Sequence, residues 1–208
     1  MARPPTANAT PHNLLPFYND SQEENTGATI ALWSHIFADL DGYYLCTFTG
    51  KQAWSGANEL VGIVHEWWRY PDEVADAAAY LVEESEQGRD AYFGVHLYRK
   101  RGTRNGGRIK GNAAGEVYAL WVDGDGALVP TEYPRPTAII ESSPDRHHYY
   151  WRLEQPIEPE RATMLNKRLC YGMGGDKGKW GLGTVLRAPG TRNYKREAPS
   201  PVEVVACG

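Results

Sequence analysis

Cysteine is scarce in this chain, with three residues, Cys46, Cys170 and Cys207. They are odd in number, far apart and never spaced Cys-x-x-Cys, which argues against both a disulfide framework and a zinc knuckle. A reducing, cytoplasmic setting is therefore expected. Long hydrophobic runs are also missing. The opening Met1-Ala2-Arg3-Pro4-Pro5-Thr6 has no apolar core of the signal-peptide kind, and no stretch approaches membrane-spanning length, so no membrane partner is expected. Internal repeats and low-complexity tracts are absent as well. Acidic residues are missing from one place in particular: residues 99–115 carry six basic side chains and no carboxylate.

What is present looks like an ordinary globular chain, 41% hydrophobic and 23% charged over 208 residues. Its net charge of −4 conceals two unlike halves. Residues 1–98 hold 14 acidic against 4 basic side chains, whereas residues 99–196 hold 18 basic against 10 acidic. A basic half suits a polyanionic substrate whose phosphates need neutralising. Within it, Val117-Tyr118-Ala119-Leu120-Trp121-Val122-Asp123-Gly124-Asp125-Gly126 reads as a buried strand ending in two acids. Strand alternation would put Asp123 and Asp125 on one face, with Gly124 and Gly126 keeping the exit open. Paired carboxylates repel unless a cation sits between them, and hard Mg²⁺ or Mn²⁺ suits their oxygens. The same residues also fit a plain acidic turn.

The order of elements predicts an α+β fold with a mainly antiparallel sheet. Residues 1–27 read as a loose arm. Residues 28–40 align Ile30, Trp33, Ile36, Phe37 and Leu40 on a helical face. A strand follows over 43–49, and residues 57–68 lean towards helix. Pro71-Asp72-Glu73 opens a helix whose apolar face is Val74, Ala77, Ala78, Leu81 and Val82. A strand spans 91–98. The basic loop then carries Lys100, Arg101, Arg104, Arg108 and Lys110, suited to tracking a nucleic-acid backbone. Residues 137–142 and 147–153 read as a hairpin through Ser143-Pro144-Asp145. A helix starts at Pro159 and ends before Gly172, and a short strand covers 202–205.

Two further stretches carry chemistry. In Ser142-Ser143-Pro144-Asp145-Arg146-His147-His148-Tyr149-Tyr150-Trp151, adjacent histidines on a strand face opposite sides. His148 shares the more polar face with Tyr150 and Arg152. A nicking-nuclease site with two metal-binding histidines on one face would need them two residues apart, so that geometry does not fit. In Arg187-Ala188-Pro189-Gly190-Thr191-Arg192-Asn193-Tyr194-Lys195, a Pro-Gly turn is ringed by donors that suit a triphosphate or nucleic-acid phosphates.

These three motifs, in this order across roughly residues 90–196, resemble the archaeo-eukaryotic primase superfamily and its phage and plasmid primase-polymerases. The resemblance implies an RRM-like catalytic palm over residues 91–208 beside a smaller N-terminal α/β lobe over 28–90. It implies a nucleotidyltransferase that makes and extends primers on single-stranded DNA with nucleoside triphosphates and two metal ions, often alongside a helicase domain or partner. Carried over by position, Asp123 and Asp125 match metal-binding acids. His148 and Ser143 match the nucleotide's phosphate pocket, and Arg187, Asn193 and Lys195 match the last basic motif. Similar proteins carry a third acid where Gly181 stands here. Asp176, in a glycine-rich segment from which it would swing in, is the expected substitute, with Glu141 a weaker one. If neither serves, a catalytically weak single-strand- or origin-binding domain on the same fold is the alternative. Tyr92, Phe93, Tyr149 and Trp180 are candidates for stacking on bases, with Phe93 and Tyr149 better suited to the core.

Overall fold

Two four-stranded antiparallel sheets divide the polypeptide. The computed structural model describes residues 20–37, 40–53, 59–102 and 115–208, and all that follows concerns those residues. Helix α1 spans Asp20–Phe37, strand β1 Tyr43–Gln52, β2 Leu60–Tyr70, helix α2 Val74–Glu86 and β3 Asp90–Gly94. Strands β4 (Val117–Asp123), β5 (Ala138–Ser143) and β6 (Arg146–Ile157) precede helix α3 (Pro159–Met173). The short strands β7 (Val185–Arg187), β8 (Arg192–Asn193), β9 (Ser200–Pro201) and β10 (Glu203–Cys207) complete the order. The first sheet runs β2-β1-β3-β7 and the second β10-β5-β6-β4, with β8 and β9 forming a small ladder. The expected α+β class with antiparallel pairing is present. The late strand β7 joins the first sheet by pairing with β3, however, so residues on both sides of position 90 build that sheet.

Helices α1 and α2 pack against each other; α1 also meets β4, β6 and β10, while α2 covers β1, β2 and β3. Leu32, Trp33, Ile36 and Phe37 from α1 join Leu45, Phe93, Trp121, Ile140 and Tyr150 in one continuous core. The apolar spacing predicted for α2 holds: Ala77, Ala78, Leu81 and Val82 are all buried. Phe93 and Tyr149 are core residues, as their sequence context suggested.

Several local expectations change, among them the strand expected over 91–98, which ends at Gly94. Helix α1 begins at Asp20, so the last eight residues assigned to the arm are helical. Residues 60–70 form strand β2, not helix, and pair with β1 from Tyr43↔Tyr70 to Gln52↔Leu60. Their Val, Ile, Trp and Tyr content favours a pleated surface once a partner strand is available, and tertiary pairing decides what local periodicity leaves open. Pro71 lies in the turn ahead of α2, which starts at Val74. Helix α3 continues through Gly172 and stops at Gly174, whose left-handed φ of 77° supplies the usual glycine stop. No helix among the described residues is long and apolar enough to cross a membrane.

Candidate active site

A cleft of about 620 Å³ opens between the two sheets. Its walls include Asp123, Asp125, Ser142, Ser143, His148, Asp176, Arg187, Asn193 and Lys195, which gathers the acid-tipped strand, the hairpin turn and the last basic motif in one place. Arg146, Lys179 and Arg196 join them, giving five basic side chains beside three carboxylates.

Asp123 is the last residue of β4, directly across from His148 on β6. Asp125 reaches the cleft by another route than strand alternation. The strand has ended, and Asp125 sits in a turn at φ 44°, where its carboxylate pairs with Arg146. Gly124 is not a loose exit. Its N–H donates to the His147 carbonyl at 2.9 Å, and a Cβ there would lie 2.7 Å from the Tyr149 ring. Glycine is needed because hairpin β5–β6 presses on the turn.

Asp176 is fixed rather than free to swing. Strand β4 is an edge strand, and α3 with its following loop covers that edge. The Asn166 side-chain oxygen accepts the Trp121 backbone N–H at 3.1 Å, and the Lys179 carbonyl accepts the Trp121 indole N–H at 3.1 Å. The Asp176 N–H donates to the Asp123 carbonyl at 2.9 Å. Gly175 makes that approach possible, since a Cβ would lie 2.6 Å from the same Asp123 oxygen. Gly174 stops the helix and Gly175 allows the contact. Gly175→Ala should therefore displace Asp176 without altering any carboxylate. The expected result, in primer-extension and melting assays, is a roughly tenfold or greater loss of incorporation with a smaller loss of stability.

Electrostatics follow from this placement. Burial, then the neighbouring charge of Asp176, raises the Asp123 carboxyl to about 6, against the opposing pull of Lys179, Arg146 and Arg187. His148 is driven the other way, to about 3, by burial and then by Arg187 and Lys179. It is thus a neutral imidazole in the free protein, and its buried Nδ1 has no hydrogen-bond partner. A neutral ring offers a hydrogen bond rather than a charge. His147 points away and stacks on Tyr149, with ring centroids 5.8 Å apart.

Arg187 is held from beneath. It pairs across the sheet with Tyr92, and its guanidinium lies 4.7 Å from the centre of that ring. Asp90, two residues along β3 and hence on the same face, forms a buried ion pair with it. Asp90 also accepts the Tyr194 N–H at 2.9 Å and the Gln52 side chain. Sequence reasoning missed Asp90, because an acid opening an apolar strand carries no motif. Asn193 lines the cleft but is committed internally. It donates to the Ser142 carbonyl at 2.8 Å and accepts the Lys195 N–H at 3.0 Å, joining the last basic motif to the hairpin turn. Lys195 itself is exposed.

Among the described residues, no three acidic, histidine or cysteine side chains converge on a single point that would hold a metal ion. The donor set nevertheless suits a hard divalent cation. The carboxylates of the neighbouring Asp123 and Asp176 repel each other, and Asp125 is one guanidinium away. Glu141 is engaged elsewhere, accepting the Asp145 N–H at 3.2 Å. Lys100 and Arg101 are exposed beyond β3 and do not line the cleft. Arg104, Arg108 and Lys110 lie outside the described residues.

Residues 99–204 match the family described as the RepB DNA-primase N-terminal domain. No curated protein matches this sequence. Three solved structures share the fold at 14% identity. One is the primase RepB′, with a TM-score of 0.60 over 88% of this chain and 56% of that one, so the chain spans little more than half of that relative. The second is the catalytic domain of RepB′ in complex with initiator DNA, with a TM-score of 0.58 over 90% of this chain and 86% of that one. The third is the archaeo-eukaryotic primase domain of the cyanophage S-2L primase-polymerase, at 0.61 over 88% of this chain and 90% of that one.

Proposed function

Because the chain belongs to the RepB DNA-primase N-terminal domain family, within the archaeo-eukaryotic primase superfamily, we propose that its cleft joins nucleotides on a single-stranded DNA template. The observation that carries this reading is the fixed pair of acids. Asp123 and Asp176 are held together by a backbone hydrogen bond in a cleft whose walls also carry Arg146, Lys179, Arg187, Lys195 and Arg196.

The proposed division of labour follows from position. Asp123 and Asp176, with Asp125 once released from Arg146, would hold one or two Mg²⁺ or Mn²⁺ ions. Such ions supply a lowered pKa for an attacking hydroxyl and charge neutralisation on the phosphates. Arg187, locked by Asp90 and Tyr92, presents a forked donor to the triphosphate at little entropic cost. Lys179, Lys195 and Arg196 neutralise charge on the phosphates and on the departing pyrophosphate. The unpartnered Nδ1 of His148 suits a hydrogen bond to a phosphate oxygen. Ser143, at the turn beside it, shapes the pocket floor. The proposed partners are a single-stranded template, nucleoside triphosphates and a helicase; the relative solved with initiator DNA supports DNA binding.

The pairing of Asp125 with Arg146, which occupies that carboxylate, favours a second reading, a binding domain with weakened catalysis. Primer extension on single-stranded DNA, with deoxynucleotides and Mn²⁺ or Mg²⁺, separates the two. The parent is expected to extend the primer, and Asp176→Asn to lose about two orders of magnitude while still binding template. Template binding by the parent without any extension would leave only the second reading.

A further inference from the structure

The outer face of α3 is basic and aromatic in a way that the cleft does not explain. Between Arg161 and Trp180 the sequence holds five basic residues and one acid, Asp176, which is turned to the cleft. Met164, Arg168 and Tyr171 fall at i, i+4 and i+7, one stripe of the helix, and all are exposed; Tyr171 is 52% accessible. The Lys167 ammonium lies 5.9 Å from the Tyr171 ring centre and 5.1 Å from that of Trp180, and Lys177 lies 5.3 Å from Tyr171. Trp180 follows Lys179, a wall of the cleft. A continuous path of rings and ammonium groups therefore runs from the exposed helix to the candidate active site.

We propose that this face of α3 is the track of a single strand of DNA entering the cleft, with bases stacked on Tyr171 and Trp180 and phosphates paired to Lys167, Arg168 and Lys177. The chemistry is specific in kind. Rings alone would suit an apolar partner, and cations alone any polyanion. Their interleaving matches a polymer that alternates flat bases with charged phosphates. Each lysine now resting over a ring can move to a phosphate while a base takes its place on the ring, so the two contacts form together. The track is also rigid where it meets the chemistry, because α3 and its loop are tied to β4 through Asn166, Asp176 and Lys179. This assignment rests on the primase-type reading of the cleft.

The test uses the whole chain and measures fluorescence anisotropy of a short labelled oligo(dT) strand without nucleotide, over a salt series. Lys167→Ala with Arg168→Ala should weaken binding about tenfold at low salt and make the log–log salt slope shallower by roughly 1.4, or ~0.7 for each lost phosphate contact. Tyr171→Ala should weaken oligo(dT) several-fold, leave the salt slope unchanged and leave affinity for inorganic polyphosphate unchanged. Unaltered oligo(dT) binding by both variants, with melting temperatures like the parent's, would overturn the proposal and leave the face to an acidic protein partner. Equal losses for polyphosphate and oligo(dT) in Tyr171→Ala would also overturn it, since a generic polyanion surface needs no stacking ring. Failure of the parent to incorporate nucleotides would remove the catalytic reading and leave these binding measurements as they stand.

Discussion

Asp123→Asn is expected to abolish nucleotide incorporation, by roughly 10³-fold, and at the same time to make the folded chain more stable above pH 6. The two effects share one cause. Burial and the charge of Asp176 hold the Asp123 carboxyl at about 6, so the folded protein binds its proton more tightly than the unfolded chain does. The sign is then fixed: between about pH 4 and pH 6 the folded state carries more protons, and the parent loses stability as pH rises through that window. A neutral Asn has no such penalty. Its advantage should be absent below pH 4 and complete above pH 6, on the order of 2 kcal/mol. A divalent cation that binds only the folded parent should reverse the order, raising its melting temperature with Mn²⁺ concentration and leaving the variant's unchanged. Denaturation of both proteins across the pH range, with and without Mn²⁺, reads this without any activity assay. Equal stabilisation of parent and variant by Mn²⁺ would remove Asp123 from the metal site.

Much of the candidate cleft was legible because its parts lie in compact motifs. Asp123, His148 and Arg187 each end or sit within a short apolar stretch, where a polar residue is conspicuous and strand alternation states which way it points. Asp125 was found for a reason that fails: it lies beyond the strand, in a turn at positive φ, yet faces the same cleft. The glycines around it were misjudged because sequence does not distinguish glycine that frees the backbone from glycine that admits a neighbour. Gly124 and Gly175 are both of the second kind. Strand β2 was misassigned because Leu60–Tyr70 gains its conformation from pairing with β1, a non-local contact. The joining of β7 to β3 is equally non-local, and with it went Asp90, whose role exists only because strands some hundred residues apart in sequence become neighbours. What sequence conveys well is local alternation and capping. What it conveys poorly is which distant strand lies alongside.

Asp90 therefore yields the second large effect. Asp90→Ala should cost about 3–5 kcal/mol of folding stability, because it strands the buried Arg187 guanidinium and leaves the Tyr194 N–H and the Gln52 side chain unpaired. Incorporation should fall more steeply than the lost stability accounts for, since Arg187 no longer holds a single orientation. The discriminating measurement is a double-mutant cycle with Arg187→Met. Removing one member of a buried ion pair is expensive, whereas replacing both with apolar groups is close to neutral. Asp90→Leu combined with Arg187→Met should recover most of the stability that either single variant loses, so the coupling, read by urea denaturation against the Asp90→Leu and Arg187→Met single variants, should exceed about 3 kcal/mol. Nucleotide incorporation should not recover, because the forked donor is gone. Recovery of both stability and activity in the double variant would show that the pair is a structural bolt and that Lys179 and Lys195 alone meet the phosphates. Recovery of stability alone ties Asp90 to function through Arg187, as a positioning residue that never touches the nucleotide.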